Sequence, residues 1–510
     1  MIGLTGEGLT SAQVVAVARS DERVELAETA RAAMEKSAAV VDRLTSSSEP
    51  AYGVSTGFGS LATTPIPADR REELQRALLR SHAAGMGAPV EREVVRAMML
   101  LRARSLAMGY SGARPEIAEA ILAILNADLT PVVPEHGSLG ASGDLAPLAH
   151  CALALIGEGE LSDGSDCPRP AAEALAEAGL EPLTLRAKEG LALINGTDGI
   201  LGMLILAVTD LRSLLRAADI SAAMAVEALL GTDRAFAEDL IALRPQPGQA
   251  DSAANLRRLL AGSPIVASHR EDDPRVQDAY SLRCAPQVNG AARDAVAYAA
   301  EVAEQELASA IDNPMILPDG RVESCGNFHG APLGLACDLL AMAVADTGAI
   351  AERRTDRLLD ASRSEGLPPF LAEDPGVNSG LMISQYTQAA MVSENRRLAV
   401  PASVDSLPTS AMQEDHVSMG WSAARKLRSA IDNLGRIIAV EAACAARGIE
   451  LRSPLEPGAG TGAAVAALRA AGVPGPGPDR ELAPELETAA RLVAGGGIVS
   501  AVEEAIGELR

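Results

Sequence analysis

Aromatic side chains make up only 2% of this 510-residue sequence: one tryptophan, five tyrosines and four phenylalanines. A core nearly without rings has to be filled by Ala, Leu, Val, Ile and Met, and an Ala/Leu-rich composition favours close-packed helices over sheets. Basic residues are also in deficit, 44 against 68 acidic ones, for a formal net charge of −24. With no Lys/Arg cluster as a local exception, a polyanionic partner is repelled, so nucleic acid is not an expected ligand. The six cysteines include no C-x-x-C pair and read as small core residues in a reducing compartment, and no metal site is expected. The opening MIGLTGEGLT lacks the basic and apolar regions of a signal peptide, and the apolar segment 200–208 (ILGMLILAV) is too short to span a bilayer. A soluble, cytoplasmic protein without membrane contact is expected.

The length allows two to four domains or one large helical assembly. Residues 1–200 alternate short helical stretches with Gly/Pro-rich turns at 51–60, 131–140 and 162–170. Beyond about 200, long proline-free stretches appear at roughly 200–230, 288–312, 332–360, 378–398 and 418–449. In the last of these, Ala424, Leu427, Ile431, Leu434 and Ile438 repeat at intervals of 3 and 4, an apolar stripe on one helix face. Helices of roughly 35–45 Å bury such stripes best side by side, so a central antiparallel bundle is expected. The fold class is therefore mainly α, with an N-terminal region over 1–200 and a long helical bundle with a helical tail over 201–510. The polar cluster 267–283 is expected at a loop tip, and a last helix over 480–508.

Rare residues gather in a few polar segments, as they would in an active site built from distant loops. His82, His136, His150, His329 and His416 lie in or beside them, with Tyr52 and Tyr280. The most distinctive segment is GSLGASGDLAPLAH (137–150). Its Ala-Ser-Gly alone is weak evidence, since average usage predicts about 0.2 occurrences in such a chain. In its full context the segment resembles the cofactor-forming motif of the histidine and aromatic amino-acid ammonia-lyase family. Further segments match in the family's order: YGVSTGFG (52–59), LQRALLRSHAAGMG (74–87), EGLALINGTDG (189–199), RVQDAYSLRCAPQV (275–288) and GNFHG (326–330). Last comes PASVDSLPTSAMQEDHVSMG (401–420), which resembles the segment that sets the histidine-specific members apart.

The resemblance implies a fumarase/aspartase-like helical fold and a self-made cofactor, 4-methylidene-imidazol-5-one (MIO). It forms when the amide nitrogen of Gly143 attacks the carbonyl carbon of Ala141, whose oxygen leaves as water, and Ser142 loses its hydroxyl as a second water. Small residues suit the bent backbone that this requires. No metal or diffusible cofactor is implied. The implied reaction is loss of ammonia from L-histidine to give trans-urocanate, the opening step of histidine degradation. It needs an electrophile because the β-proton is barely acidic and no ordinary side chain supplies one.

By the same resemblance Tyr52 is the catalytic base, which requires surroundings that lower a tyrosine pKa of about 10. Asn195 is expected to hydrogen-bond the cofactor's carbonyl oxygen. Gln277, Tyr280 and Arg283, spaced by three, share a face if helical, though a shaped loop fits equally. Arg283 suits the substrate carboxylate, Tyr280 the cofactor or the proton transfers, and Gln277 the substrate's polar groups. Phe328 packs near the cofactor or in the core. His82 and Glu414 offer partners to an imidazole ring, and a carboxylate left unsatisfied by a phenyl or phenol ring would reject it. His329 and His416 are expected to be structural hydrogen-bonders. Ser55, Asp198 and Cys325 depart from the family's usual residues, and Asp198 puts a charge beside Asn195.

The family's homotetramers, with active sites shared between subunits, imply the same assembly here. Three rivals stay open: a tyrosine or phenylalanine ammonia-lyase or aminomutase with the same cofactor, a non-catalytic relative, and a fumarase-like lyase using ordinary acid–base residues.

Overall fold

The computed structural model of the chain describes residues 1–45, 55–57, 64–164, 167–271 and 273–510. The proline-free stretches are its long helices: Asp198–Ala228, Ala285–Leu307, Ala331–Leu359, Met382–Leu398 and Gly420–Glu450. In the last of these, Ala424, Leu427, Ile431, Leu434 and Ile438 are all at most 4% exposed, so the stripe is the buried face. At 1.5 Å per residue this 31-residue helix runs about 46 Å.

The chain divides into two compact units. Unit 1 comprises Met1–Leu206, Ala299–Cys337 and Ala402–Arg425; unit 2 comprises Ala207–Tyr298, Asp338–Pro401 and Lys426–Arg510. The first break falls after residue 206, and the first unit also takes two later segments. Each contains the end of a long helix and the loop beside it, which chain order alone does not assign.

In unit 1 the first strands, Ile2–Leu4 and Val24–Leu26, pair in parallel. Helix Ser11–Ser20 between them begins with a capping box, Thr10 and Gln13 each satisfying the other's backbone N–H. Helix Arg92–Ala107 is buried from Val94 to its end, including Arg96, Arg102 and Arg104. Each guanidinium is spent on carbonyls: Arg96 on Val17 and Leu125, Arg102 on Ile311 and Arg104 on Ser309. Burial pushes the Arg104 guanidinium down to about 10. Strand Met86–Pro89 pairs antiparallel with Pro134–His136, which brings the end of helix Arg71–His82 beside the chain that enters 137–150.

Unit 2 shows how the bundle runs. Gln388 and Asn395 donate to the carbonyls of Ile437 and Ala430, so Met382–Leu398 and Gly420–Glu450 are antiparallel. Alternate helices run the same way: Arg428 and Glu441 meet Asp210 and Ser221, and Lys426 and Glu441 meet Asp338 and Arg354. Ser221 Oγ and Arg354 Nη2 reach the same Glu441 oxygen at 2.8 and 3.0 Å. Arg354 and Glu441 have no exposed side-chain surface.

Several expectations are corrected. The helix over 480–508 is two, Ala483–Ala494 and Gly497–Ile506, because Gly496 at φ +74° takes a left-handed conformation that stops the first. Among the described residues of 267–283, Ala267 ends helix Pro264–Ala267 and Tyr280–Arg283 forms a helical turn, with loop rather than regular structure between them. The apolar segment 200–208 belongs to a helix long enough to cross a bilayer, but its apolar window is wholly buried in the protein, as in a core helix. Cys151, Cys337 and Cys444 are buried as expected, whereas Cys167 is exposed.

Removing one partner of a buried ion pair strands the other's charge. Glu441→Ala is therefore expected to destabilise the fold by about 3–5 kcal/mol, read as a fall in the thermal or denaturant midpoint. A change within 0.5 kcal/mol would refute a structural role for this pair.

Candidate active site

Three helices of unit 1, Arg71–His82, Leu145–Leu155 and Glu189–Ile194, contribute residues to a cavity of about 510 Å³. His82, Ser142, Asn195 and Glu414 all line it, beside the apolar Leu74, Leu78, Leu145, Leu191 and Ile194. The structure thus brings together four of the residues singled out from sequence, which span 333 positions of the chain.

The 141–143 turn is held by a close backbone crossing. Gly143 sits at φ +75°, and a Cβ there would lie 2.1 Å from the carbonyl oxygen of Gly196. No other residue fits. The next amide, of Asp144, donates to that same oxygen at 2.6 Å. Asp144 is fully buried, its Oδ2 accepting from the amides of Gly199 (2.9 Å) and Ile200 (3.0 Å) and its Oδ1 from Ser138 (3.0 Å). Those amides open helix Asp198–Ala228, whose N-terminus favours negative charge. Burial nevertheless dominates and pushes the Asp144 carboxyl up to about 7.

Ser142 Oγ donates to Glu414 Oε1 at 3.2 Å, and Thr409 Oγ1 to Glu414 Oε2 at 2.7 Å. Thr409 and Glu414 also exchange two backbone hydrogen bonds around Ser410, Ala411 and Met412, whose φ values are 50°, 51° and 71°. Three consecutive left-handed non-glycine residues cost about 1–2 kcal/mol each. Strain of this kind collects where a side chain has to be held in one place.

His82 Nδ1 lies 3.0 Å from the carbonyl of Leu78, which can only accept, so Nδ1 carries the proton and Nε2 is left as an acceptor. Burial lowers its pKa, opposed by the nearby Glu414. His150, also lowered by burial, accepts from the Gly85 amide at 3.1 Å and ties helix Leu145–Leu155 to the strap after His82.

Asn195 is 3% exposed, and its amide nitrogen donates to Asp312 Oδ1 (3.3 Å) and to the carbonyl of Asn313 (2.9 Å). Both amide protons thus end on protein oxygens. In this arrangement the amide nitrogen faces Asp312 and Asn313, and Oδ1 is the other end of the side chain. The charge of Asp198 is met by Arg102 at 3.4 Å and by Arg104; burial outweighs both and raises its pKa.

Tyr52 lies outside the described residues. Phe328 is half-buried and does not line this cavity. His329 and His416 stack at 5.7 Å, and His329 Nε2 lies 3.3 Å from the His416 carbonyl, in keeping with a structural role. In unit 2, Gln277 lines a hollow of about 110 Å³, outside the one-turn helix Tyr280–Arg283. Of the two readings of that segment, the shaped loop holds for Gln277. Tyr280 is 71% exposed, with the Arg283 guanidinium 4.6 Å above its ring. Sequence reasoning missed Lys188, Asp312 and Thr409. A signal for Lys188 was there: only three of the 44 basic residues are lysines.

A glycine-tight backbone turn that presents Ser142 to a carboxylate in a largely apolar cavity, carried on a mostly helical scaffold, suits a lyase. A family model described as aromatic amino acid lyase matches residues 9–470, and the chain belongs to that family. It is 61% identical to the histidine ammonia-lyase of Streptomyces coelicolor, over 99% of this chain and 98% of that one. With the histidine ammonia-lyase of Gloeobacter violaceus it shares 51% over 99% and 98%. Among solved structures it resembles histidine ammonia-lyase from Trypanosoma cruzi (TM-score 0.91, 39% identity, 99% and 95% covered). It also resembles tyrosine aminomutase from Streptomyces globisporus (TM-score 0.94, 37% identity, both chains fully covered). These likenesses carry the fumarase/aspartase-like helical architecture expected from the sequence.

Two outcomes follow from the geometry. If residues 141–143 condense in the parent, Gly143→Ala is expected to block that and abolish activity, seen as an intact mass heavier than the parent's by two waters beyond the one methylene the substitution adds. Asp144 binds its proton more tightly when folded, so stability falls as pH rises from 3.8 to about 7. Asp144→Asn is expected to flatten that fall in melting temperature; an unchanged slope would assign it to other groups.

Proposed function

We propose that this chain catalyses the non-oxidative deamination of L-histidine to trans-urocanate and ammonia. The observation that carries the reading is the Glu414 carboxylate on Ser142, in one cavity with His82. The likeness to histidine ammonia-lyases over nearly the whole chain supports it.

The tripeptide Ala141-Ser142-Gly143 fits a 4-methylidene-imidazol-5-one. Gly143 is left-handed with no space for a side chain, and Ser142 borders the cavity. Once formed, that group supplies the electrophile that ordinary side chains lack. The rest falls to this chain's own residues. Glu414 and His82 Nε2 are two acceptors facing the substrate ring. Imidazole offers one N–H when neutral and two when charged, whereas a phenyl ring offers none. A bound phenyl ring would leave a desolvated carboxylate unpaired, which is how such sites discriminate by about 10⁴–10⁵. Asn195 presents Oδ1 as an acceptor for the substrate's ammonium. Apolar Leu74, Leu78, Leu191 and Ile194 exclude water from the reacting carbon.

Tyr52 acts as the base that removes the β-proton. Arg283 takes the substrate carboxylate, flanked by Gln277 and Tyr280, and Phe328 packs near the cofactor. A homotetramer with shared active sites puts these groups to use on a neighbouring copy's cavity. Exposed Tyr280 supports that reading. So do Leu335, Ile383 and Tyr386, each more than half exposed on long helices. The reading includes a cytoplasmic enzyme of histidine degradation.

The test is ultraviolet detection of urocanate from L-histidine, with L-tyrosine and L-phenylalanine in parallel. Turnover of L-histidine alone, lost in Ser142→Ala, is expected. Glu414→Ala is expected to lower kcat/KM for L-histidine by about 10²–10⁴-fold and to narrow the preference over L-phenylalanine. Conversion of L-tyrosine to β-tyrosine instead would point to an aminomutase.

A further inference from the structure

Behind the cavity wall lies a charge pair that no step above uses. Lys188 and Asp312 have no exposed side-chain surface, and Lys188 Nζ donates to Asp312 Oδ2 and to the carbonyl of Ser111, each at 2.8 Å. Lys188 adopts φ +69° to get there, in the region that non-glycine residues avoid. It heads the short helix Glu189–Ile194, which ends one residue before Asn195.

The other oxygen, Asp312 Oδ1, accepts from the Asn313 amide at 2.6 Å and from Asn195 Nδ2 at 3.3 Å. A carboxylate only accepts, and so does the Asn313 carbonyl on the same amide nitrogen. A reversed Asn195 would set its oxygen against two oxygens. We propose that the buried Lys188–Asp312 pair is a positioning device that fixes which end of the Asn195 amide faces the cavity, so that the substrate meets an acceptor. This rests on the reading of the cavity as the L-histidine site. The two residues act through Asn195. Asp312 dictates the orientation, and Lys188 supplies the counter-charge without which a carboxylate so buried is poorly tolerated.

Asp312→Asn gives the sharpest test. Lys188 keeps the new amide's oxygen, so its NH₂ turns towards Asn195 and the Asn313 amide, and Asn195 loses the carboxylate acceptor that fixes its orientation. The cycle compares Asp312→Asn, Asn195→Ala and the double variant. It is read as kcat/KM for L-histidine and, in chains also carrying Ser142→Ala, as the calorimetric Kd. Asp312→Asn is expected to weaken both by roughly tenfold or more, with a further change under about twofold once Asn195 is alanine. Equal losses in both backgrounds would reduce the pair to a general structural role and overturn the proposal. A fully active Asn195→Ala would overturn it as well.

Should Asp312→Asn fail to fold, Lys188→Met replaces it in the same cycle. Lys188→Arg, which keeps the cation, is then expected to recover part of the loss; no recovery counts against the proposal. Failure of the parent to turn over L-histidine would sink the functional reading instead. The cycle, run with the amino acid that is turned over, would still decide the role of the pair.

Discussion

Two backbones cross at Gly143 and Gly196, closer than any side chain allows. A Cβ on Gly143 would come within 2.1 Å of Gly196, and one on Gly196 within 2.3 Å of Arg102 and Asp198. Neither glycine can be replaced without displacing backbone or a buried charge. The crossing fixes the turn that carries Ser142 against the strand of chain that carries Asn195. It also sets Asp144 on the first amides of helix Asp198–Ala228. Ser142 and Asn195, which both line the cavity, lie on the two segments joined by that contact.

Around it the protein concentrates charge that has almost no access to water. Arg102, Arg104, Asp144, Lys188, Asp198 and Asp312 are all at most 2% exposed. Isolated, each would be prohibitive to bury; the structure meets the cost by pairing them and by spending guanidiniums on carbonyl groups. Such networks are stiff, because moving one member leaves another unsatisfied. A turn with no room for a side chain at Gly143 benefits from surroundings that do not yield.

Glu414 is held differently. It stands on a strained left-handed turn closed by Thr409, in a largely exposed loop. In the proposed function the rigid part of the site makes and holds the reagent, and the loop supplies the group that selects the substrate.

The long helices were legible in the sequence because an apolar stripe is a local property: its 3.6-residue period can be counted without knowing what covers it. The break at Gly495-Gly496-Gly497 was equally local and was passed over. The residue choice in 137–150, with glycines where the backbone bends and a serine between them, announced unusual backbone chemistry. The segments quoted with it identified the family. What no local pattern could supply was the pairing of distant charges. Ser142 meets Glu414 across 272 positions, and Lys188 meets Asp312 across 124. Asn195 was named from sequence as a donor to the cofactor, and only the tertiary structure sets its amide nitrogen on Asp312 and the Asn313 carbonyl. The reason is physical: an amide has two unlike ends, and which one faces the substrate is settled by the groups behind it.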